Sequence, residues 1–305
     1  MDKLTKMDLS IVIVSWNTQN LLKSCLKSII QFTKNIKYEI IVIDNASNDG
    51  SVGMIQSQFP SVILIKNKEN VGFSKANNQG IRIAKGEHIV LLNSDTYITE
   101  NSFYKMFIYM KENKEVGICG PKVLNPDHSP QSTRVDQFKP FDTFLKITGL
   151  YNYKKEVERM DYNRVQKVEV IGGCCMFFRK KVFDTVGLLD EHYFLYNEEN
   201  DICLRAKKIK WEIVFYPVST IFHFKGSSTS QKEISEKVEI ACYKSNMHFF
   251  KKYFSKQTYF LLLLTYKGVF LIKFLELFFL YLISSPSKKN KIKEKKRLKW
   301  CLLTT

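Results

Sequence analysis

Four short, unbroken apolar runs closed by polar residues dictate most of what the first third of this chain can fold into. They are Leu9–Ser15, Glu39–Asp44, Val62–Ile65 and the run Ile89–Leu92 inside Glu87–Thr96 (EHIVLLNSDT). Runs this short and continuous read as strands buried on both faces, as in a parallel sheet covered by helices. Between them, Asn20–Phe32 carries helical spacing through Leu21, Leu22, Leu26, Ile29 and Ile30, and Ser74–Ala84 forms a second helical stretch. Strands alternating with helices of this length give βαβ units: an α/β fold with a mostly parallel central sheet flanked by helices.

In such a sheet the carboxyl ends of the strands share one edge, and ligands bind outside it. Here those ends carry Ser15 and Asn17, then Asp44, then Asn93 and Asp95. Asp95 reads either as the cap of the next helix or as a carboxylate holding a divalent cation against a phosphate. Three polar strand ends in succession favour a site for a polar, phosphorylated ligand. The chain contains no G-x-G-x-x-G after a strand and no Walker A motif, so side chains and a metal take the place of a glycine cradle. The loop Asn45–Ser51 is turn-rich, with Ser51 expected to cap a helix.

After Gly120 the periodicity loosens, and Pro121–Asp161 reads as an irregular excursion over the site. Order returns at Val168–Phe178, a strand with Gly172 and Gly173 inside it, which mark a bulge or a close approach. Tyr196–Asp201 opens a helix running to about Lys208, with Glu198, Glu199 and Asp201 in its first turns, where the helix dipole favours carboxylates. Asp201 is four residues from Arg205 and is expected to pair with it on the helix surface. Glu198 and Glu199 are candidates for a general base. Glu212–Pro217 and Thr220–Phe224 read as two strands, with His223 either structural or a ligand.

Taken together, these segments resemble the inverting, GT-A-fold glycosyltransferases of family 2, especially the rhamnosyltransferase-like members of polysaccharide assembly. The resemblance runs from Leu9 to Ser228. V-S-W-N stands at Val14–Asn17, D-N-A-S-x-D-G-S at Asp44–Ser51, N-x-G-F-x-x-A-x-N-x-G at Asn70–Gly80 and L-L-N-S-D at Leu91–Asp95. Gly172–Arg179 is similar to the family's G-x-x-M-x-x-R, and Gly187–Arg205 to its G-x-x-D-E-x-F segment leading into E-D-x-D-x-x-x-R. The resemblance implies that Ser15, Asn17 and Asp44 contact the nucleoside, and that Asn70 and Asn77 lie near the diphosphate and sugar. It implies that Asn93 and Asp95 occupy the D-x-D-like position and that Asp95 and His223 hold Mg2+ or Mn2+. Gly172, Gly173 and Arg179 fall on the acceptor side. Glu199 becomes the base, beside Glu198, in the place where the family usually has aspartate. The implied reaction moves a sugar, rhamnose by resemblance, from a dTDP-, UDP- or GDP-linked donor to a hydroxyl of a glycan or polyprenyl-linked acceptor. A sugar nucleotidyltransferase, which would show a glycine-rich basic N-terminal loop, and a degenerate membrane-bound scaffold are the competing classes.

The net charge is +17, and Lys288–Lys299 alone holds eight Lys/Arg against one Glu. No basic helix with interleaved base-reading residues accompanies it, so the charge points to anionic surfaces and substrates, with no specific nucleic acid. Seven cysteines, odd in number and without C-x-x-C, suit a reducing compartment. Leu9–Val14 is too short for a signal peptide. Tyr259–Ser284 is dense in Leu, Phe and Ile but interrupted by Lys267, Lys273 and Glu276. One side of its wheel carries Leu261, Leu264, Leu271, Ile272, Leu275, Phe278, Phe279 and Leu282. This reads as an amphipathic interfacial helix followed by a Lys-rich tail, with a tilted span or a packed hairpin as alternatives. The expected organisation is a catalytic domain over residues 1–235 and a membrane-associating helical region over 236–305. The expected location is cytoplasmic, peripheral on the inner face of the cell membrane.

Overall fold

The computed structural model describes residues 6–131, 134–135, 139–152, 161–224, 232–284 and 286–304. The Lys225–Ser228 end of the resemblance lies outside the described residues, as does part of the excursion. The chain divides into two compact units, residues 1–137 with 154–231, and residues 138–153 with 232–305.

The first unit is built on a nine-stranded sheet. Its strands are β1 (Leu9–Ser15), β2 (Tyr38–Asp44), β3 (Ile63–Lys66), β4 (His88–Asn93), β5 (Thr96–Tyr97), β6 (Val116–Leu124), β8 (Gln166–Lys167), β10 (Cys175–Arg179) and β11 (Glu212–His223). Two further short strands, β7 (Arg134–Val135) and β9 (Val170–Ile171), pair with each other. The order β3-β2-β1-β4-β10-β6-β11-β5, with β8 also on β11, contains four parallel strands followed by β10 running antiparallel to both neighbours. β6 and β11 are parallel to each other, so six of the nine strands run one way.

Alternation along each strand builds a core on both faces. Ile11 and Ile13 of β1, Val42 of β2 and Leu92 of β4 face α1 (Gln19–Phe32), α2 (Ser51–Gln58) and α4 (Ser102–Glu112). Val12, Ile41, Ile43 and Leu91 face α3 (Phe73–Ile83), α6 (Lys181–Val186) and α7 (Glu198–Lys208).

Several expectations need correcting. Gly50, at φ 85°, takes the cap position of α2, and the Asp49 carboxylate accepts from Ser51, so Ser51 is the first helical residue. Gly172 and Gly173 lie in the turn joining β9 to β10, not inside a strand. Glu212–Pro217 and Thr220–Phe224 form one long strand, β11, with an irregularity between Tyr216 and Thr220. β6 continues through Pro121 to Leu124, with the β11 irregularity falling between its Pro121 and Lys122 partners; β10 pairs with it only at Ile118 and Cys119, so the proline's missing N–H disturbs no bond there. Asp201 and Arg205 do pair, at 2.7 Å, but Asp201 is wholly buried and the guanidinium also donates to the Val186 and Leu188 carbonyls.

The second unit holds α5 (Pro140–Thr148), α8 (Lys232–Tyr253), α9 (Lys256–Ile283) and α10 (Pro286–Thr304). Pro140 at the start of α5 suits the N-terminal turn of a helix and was invisible in the aperiodic excursion. The Lys-rich tail is itself helical, packing Leu298 and Leu302 against Phe270 of α9 and Tyr243 of α8. All eight residues of the expected apolar face of α9 are exposed. Among the described residues, no helix is long and apolar enough to cross a membrane.

Candidate active site

The co-directional strands deliver Ser15, Asp44, Asn93 and His223 to one sheet edge. Because β10 runs the other way, it is its beginning that reaches the same edge, where Asn93 N–H donates to the Cys174 carbonyl at 2.9 Å. Its end, Arg179, therefore lies at the opposite edge, beside His88. There the guanidinium donates to the carbonyls of Met110, Asn113 and Val116, closing the end of α4. Arg179 is a structural residue and does not line the acceptor side.

On the β1–β2 side, Asp44 is buried; one carboxylate oxygen accepts from Ser47 N–H at 3.0 Å and the other, Oδ1, has no partner. A buried carboxylate oxygen left without a donor is costly, and a hydroxyl or N–H of a ligand would satisfy it. Asn17, in the left-handed region at φ 52°, accepts from Asn48 N–H and donates its own N–H to Ser47 Oγ. Ser15 is fully buried, and its hydroxyl joins those of Thr18 and Ser94 in a chain with spacings of 3.0 and 2.9 Å. Its side chain ties the end of β1 to the Asn93–Asp95 turn.

The neighbouring loop is held by a ladder of amides. Asn45 donates to Asn70 Oδ1 at 2.8 Å and accepts from Asn67 and from Val71 N–H. Asn70 also accepts from Gly72 N–H. Gly72 sits at φ 88° and ψ 167°, a region open in practice only to glycine, and a Cβ there would come 2.7 Å from the Phe194 ring. Asn77 is buried and spends its amide on the Phe73 carbonyl within α3. Its neighbour Asn78 reaches out of the helix to Leu189 and Glu191.

At the β4–β11 junction, His223 Nε2 stands 3.2 Å from Asp95 Oδ1, and Phe224 N–H donates to the Asp95 carbonyl. Gln131 grips the histidine twice: its amide donates to the His223 carbonyl at 2.7 Å, which turns its oxygen toward Nδ1 at 3.0 Å. Nδ1 therefore carries the ring proton, and Nε2 presents a lone pair to a carboxylate oxygen. Two acceptors that close need either a second ring proton or a cation between them. Asn93 Oδ1, alongside, is buried and has no partner. A carboxylate, an amide oxygen and an imidazole form a donor set suited to Mn2+ or Mg2+. The orphaned oxygen and the fixed tautomer are what such an ion needs.

The first turn of α7 completes the edge. Tyr196 and Asn197 both have positive φ, so the chain turns sharply into the helix with Glu198 and Glu199 inward. Each has one oxygen, Oε2, buried without a partner, while Asn200 donates to Glu199 Oε1 at 3.1 Å. Burial pushes both carboxyls up, Glu198 well above the ordinary range because the Glu199 charge adds to its desolvation. Glu198 thus keeps its proton while Glu199 is the first to ionise. Gly173 lies against both: a Cβ there would be 3.5 Å from Glu198 Oε1 and 3.9 Å from Glu199 Cβ. Gly173 directly precedes Cys174, whose carbonyl is bonded to Asn93, so the glutamate pair and the Asp95–His223 pair share one edge.

Gln131, Asn45 and Asn78 escaped the sequence reading. Asn45 follows Asp44 in D-N-A-S, and Asn78, not Asn77, is the asparagine of N-x-G-F-x-x-A-x-N-x-G, so both had a signal. Gln131 stands in aperiodic sequence and had none.

The low-salt glycan biosynthesis hexosyltransferase Agl10 of Haloferax volcanii is 26% identical over 205 residues, 66% of this chain and 62% of that protein. The N-acetylglucosaminyl-diphospho-decaprenol L-rhamnosyltransferase of Mycobacterium tuberculosis is 25% identical over 218 residues, 64% of this chain and 69% of that one. Two other relatives are covered over only 26% and 23% of their length, so the chain spans less than two thirds of most of the curated proteins first matched. In fold it is similar to the mannosyltransferase PcManGT from Pyrobaculum calidifontis, solved with GDP-Man and Mn2+. The TM-score is 0.58 at 14% identity, over 99% of this chain and 86% of that one. The sheet order, with its polar edge, is thus a GT-A arrangement. The profile of glycosyl transferase family 2 matches residues 10–187, more than half of the sequence, so the chain belongs to that family.

Proposed function

We propose that this chain is an inverting glycosyltransferase. It moves a sugar from a nucleoside-diphosphate donor to a hydroxyl of a glycan or polyprenyl-linked acceptor, in cell-surface polysaccharide assembly at the cytoplasmic face of a membrane. The observation that carries the reading is one sheet edge with two unlike polar clusters: Asp95, His223 and the orphaned Asn93 oxygen, and the pair of buried Glu198 and half-buried Glu199 against Gly173. Asp44 Oδ1, with no protein donor, suits a nucleoside hydroxyl or base N–H.

In this reading Asp95, His223 and Asn93 would hold a divalent cation, which supplies Lewis-acid stabilisation for the departing diphosphate. Glu199 accepts the proton of the acceptor hydroxyl as its oxygen bonds to the anomeric carbon and the carbon–phosphate-oxygen bond breaks. Attack from the face opposite the diphosphate inverts the anomeric centre. Glu198, neutral beside Glu199, leaves a single carboxylate in the pair and so avoids two adjacent buried charges. The ordered Asn45–Asn70 ladder holds the loop nearest the donor without glycine-rich wrapping.

Relatives support the substrate class: the Mycobacterium protein is named for rhamnose transfer to a decaprenol-linked sugar, and the Haloferax protein for hexosyl transfer in glycan biosynthesis. Rhamnose is accordingly the first sugar to try. The test is a donor panel of dTDP-, UDP- and GDP-sugars with Mn2+, read by mass spectrometry, in wild type and Glu199→Gln. Transfer should fall by roughly a hundredfold or more in the variant while donor affinity by calorimetry is retained. Undiminished transfer with donor bound would remove Glu199 from the role of base, and a wild type that binds no donor would remove the reading altogether.

A further inference from the structure

The second unit is where the charge and the exposed apolar surface of this chain concentrate. Residues 138–153 and 232–305 contain eighteen Lys and Arg against six Asp and Glu, a net +12 of the total +17. Within that unit α9 buries one side, through Leu262 and Phe270, against its neighbours. At 3.6 residues per turn, the side turned away from Phe270 is an apolar stripe about 140° wide without a charge inside it. Leu261, Leu264, Ile272, Phe279 and Leu282 on this stripe are each more than half exposed. α5, which packs on α9, adds Phe141 at 69% exposure, and just past its end Leu150 is 71% exposed. An apolar surface of that length on a soluble face marks a contact with another protein or with a membrane.

We infer that this stripe is a membrane-docking face that inserts shallowly into an anionic lipid surface, with the lysines of the same unit held against the headgroups. Charge decides between occupants. A second copy docking through the same stripe would bring two units of +12 together, whereas anionic headgroups neutralise them. The arrangement of the basic residues agrees. Lys293 and Lys295 are exposed on α10, and Lys296 lies over the Phe274, Phe278 and Tyr281 rings of α9, so basic and apolar groups are interleaved in one helix pair. The inference rests on the second unit alone and survives or fails apart from the transferase reading.

The test is flotation of the full chain with vesicles of phosphatidylcholine, alone or with about 30% phosphatidylglycerol. Wild type should float with the anionic vesicles and not with the neutral ones, and less so as salt is raised. Leu264→Ser with Phe279→Ser should lower the partition at least tenfold. Lys293→Gln with Lys295→Gln should lower it about thirtyfold at low salt and remove the preference for anionic lipid. Circular dichroism and donor binding confirm that each variant is folded. Wild type that stays with the neutral fraction, or an apolar double variant that floats like wild type, would overturn the proposal. So would a wild-type dimer in light scattering that the Leu264→Ser and Phe279→Ser pair converts to a monomer, which would assign the stripe to a second copy.

Discussion

Replacing His88 should make the first unit resist acid. The imidazole is 3% exposed, neither ring nitrogen has a hydrogen-bond partner, and it is wedged between Phe107 and Phe177 at centroid distances of 5.4 and 5.5 Å. Burial, reinforced by the Arg179 charge, pushes its pKa from 6.5 down to about 4. The sign follows from which state binds the proton. Above pH 6.5 the ring is neutral folded or unfolded and contributes no pH dependence. As pH falls from about 6.5 toward 4 only the unfolded chain takes up the proton, so stability is lost, and the loss levels off below 4. That gap corresponds to about 3 kcal/mol at full protonation and about 2 kcal/mol at pH 5. In His88→Leu this loss is absent, and two unsatisfied nitrogens are removed from the core as well. With two units present, a global unfolding curve is an unsafe gauge, so protection of the Ile89 and Phe178 amides in hydrogen exchange is the better measure. The variant-to-wild-type ratio of protection factors should rise about thirtyfold between pH 7.5 and pH 5. A ratio unchanged over that range would mean that His88 is not the neutral, buried base its surroundings demand.

Three further outcomes follow from the site. Gln131→Leu should weaken Mn2+ binding in the presence of nucleotide ten- to a hundredfold by calorimetry, because nothing then fixes the proton on His223 Nδ1, while Gln131→Glu, which keeps the acceptor, should lose less. Gly72→Ala forces a Cβ into a glycine-only backbone region and against Phe194, so it should cost about 1–3 kcal/mol of stability on thermal unfolding and loosen donor binding. The raised Glu199 carboxyl should put the acid limb of kcat above the ordinary carboxylate range. Activity needs the ionised form, so it is lost as pH falls through that raised value, and a limb at the ordinary position would contradict the burial argument.

What the sequence made legible is the part of the fold with a period. β1, β2 and β4 announced themselves because both faces of each are buried, and their polar last residues could then be placed on one edge by the direction rule alone. β10 defeated that rule. Nothing in C-M-F-F-R says that the strand runs antiparallel, yet its direction alone sends Arg179 to one end of the sheet and Gly173 to the other. Tertiary satisfaction was equally hidden. Ser15 looked free to meet a ligand, but its hydroxyl is taken by that of Thr18, which in turn reaches Ser94 from another element. The sequence marked Glu198 and Glu199 as base candidates by their density at a helix start, but not the backbone reversal at Tyr196 and Asn197 that turns them inward.

The placement of Asn93 also bears on how a metal would be held. With asparagine there, the cluster around Asp95 and His223 carries one formal negative charge at most, too little for a strongly bound divalent ion on its own. A nucleoside diphosphate brings two or more negative oxygens to the same edge. Magnesium and manganese sites of this kind are commonly completed by substrate phosphates together with one or two carboxylates. The protein's share is then geometric: a histidine locked by Gln131, a carboxylate 3.2 Å from it, and an amide oxygen with no other use. On this argument metal and donor bind with positive coupling, each raising the affinity of the other, and the ion alone binds weakly. Titrating Mn2+ with and without UDP, GDP and dTDP separates the cases: tight metal binding without any nucleotide would show that the charge count at Asn93 does not govern the site.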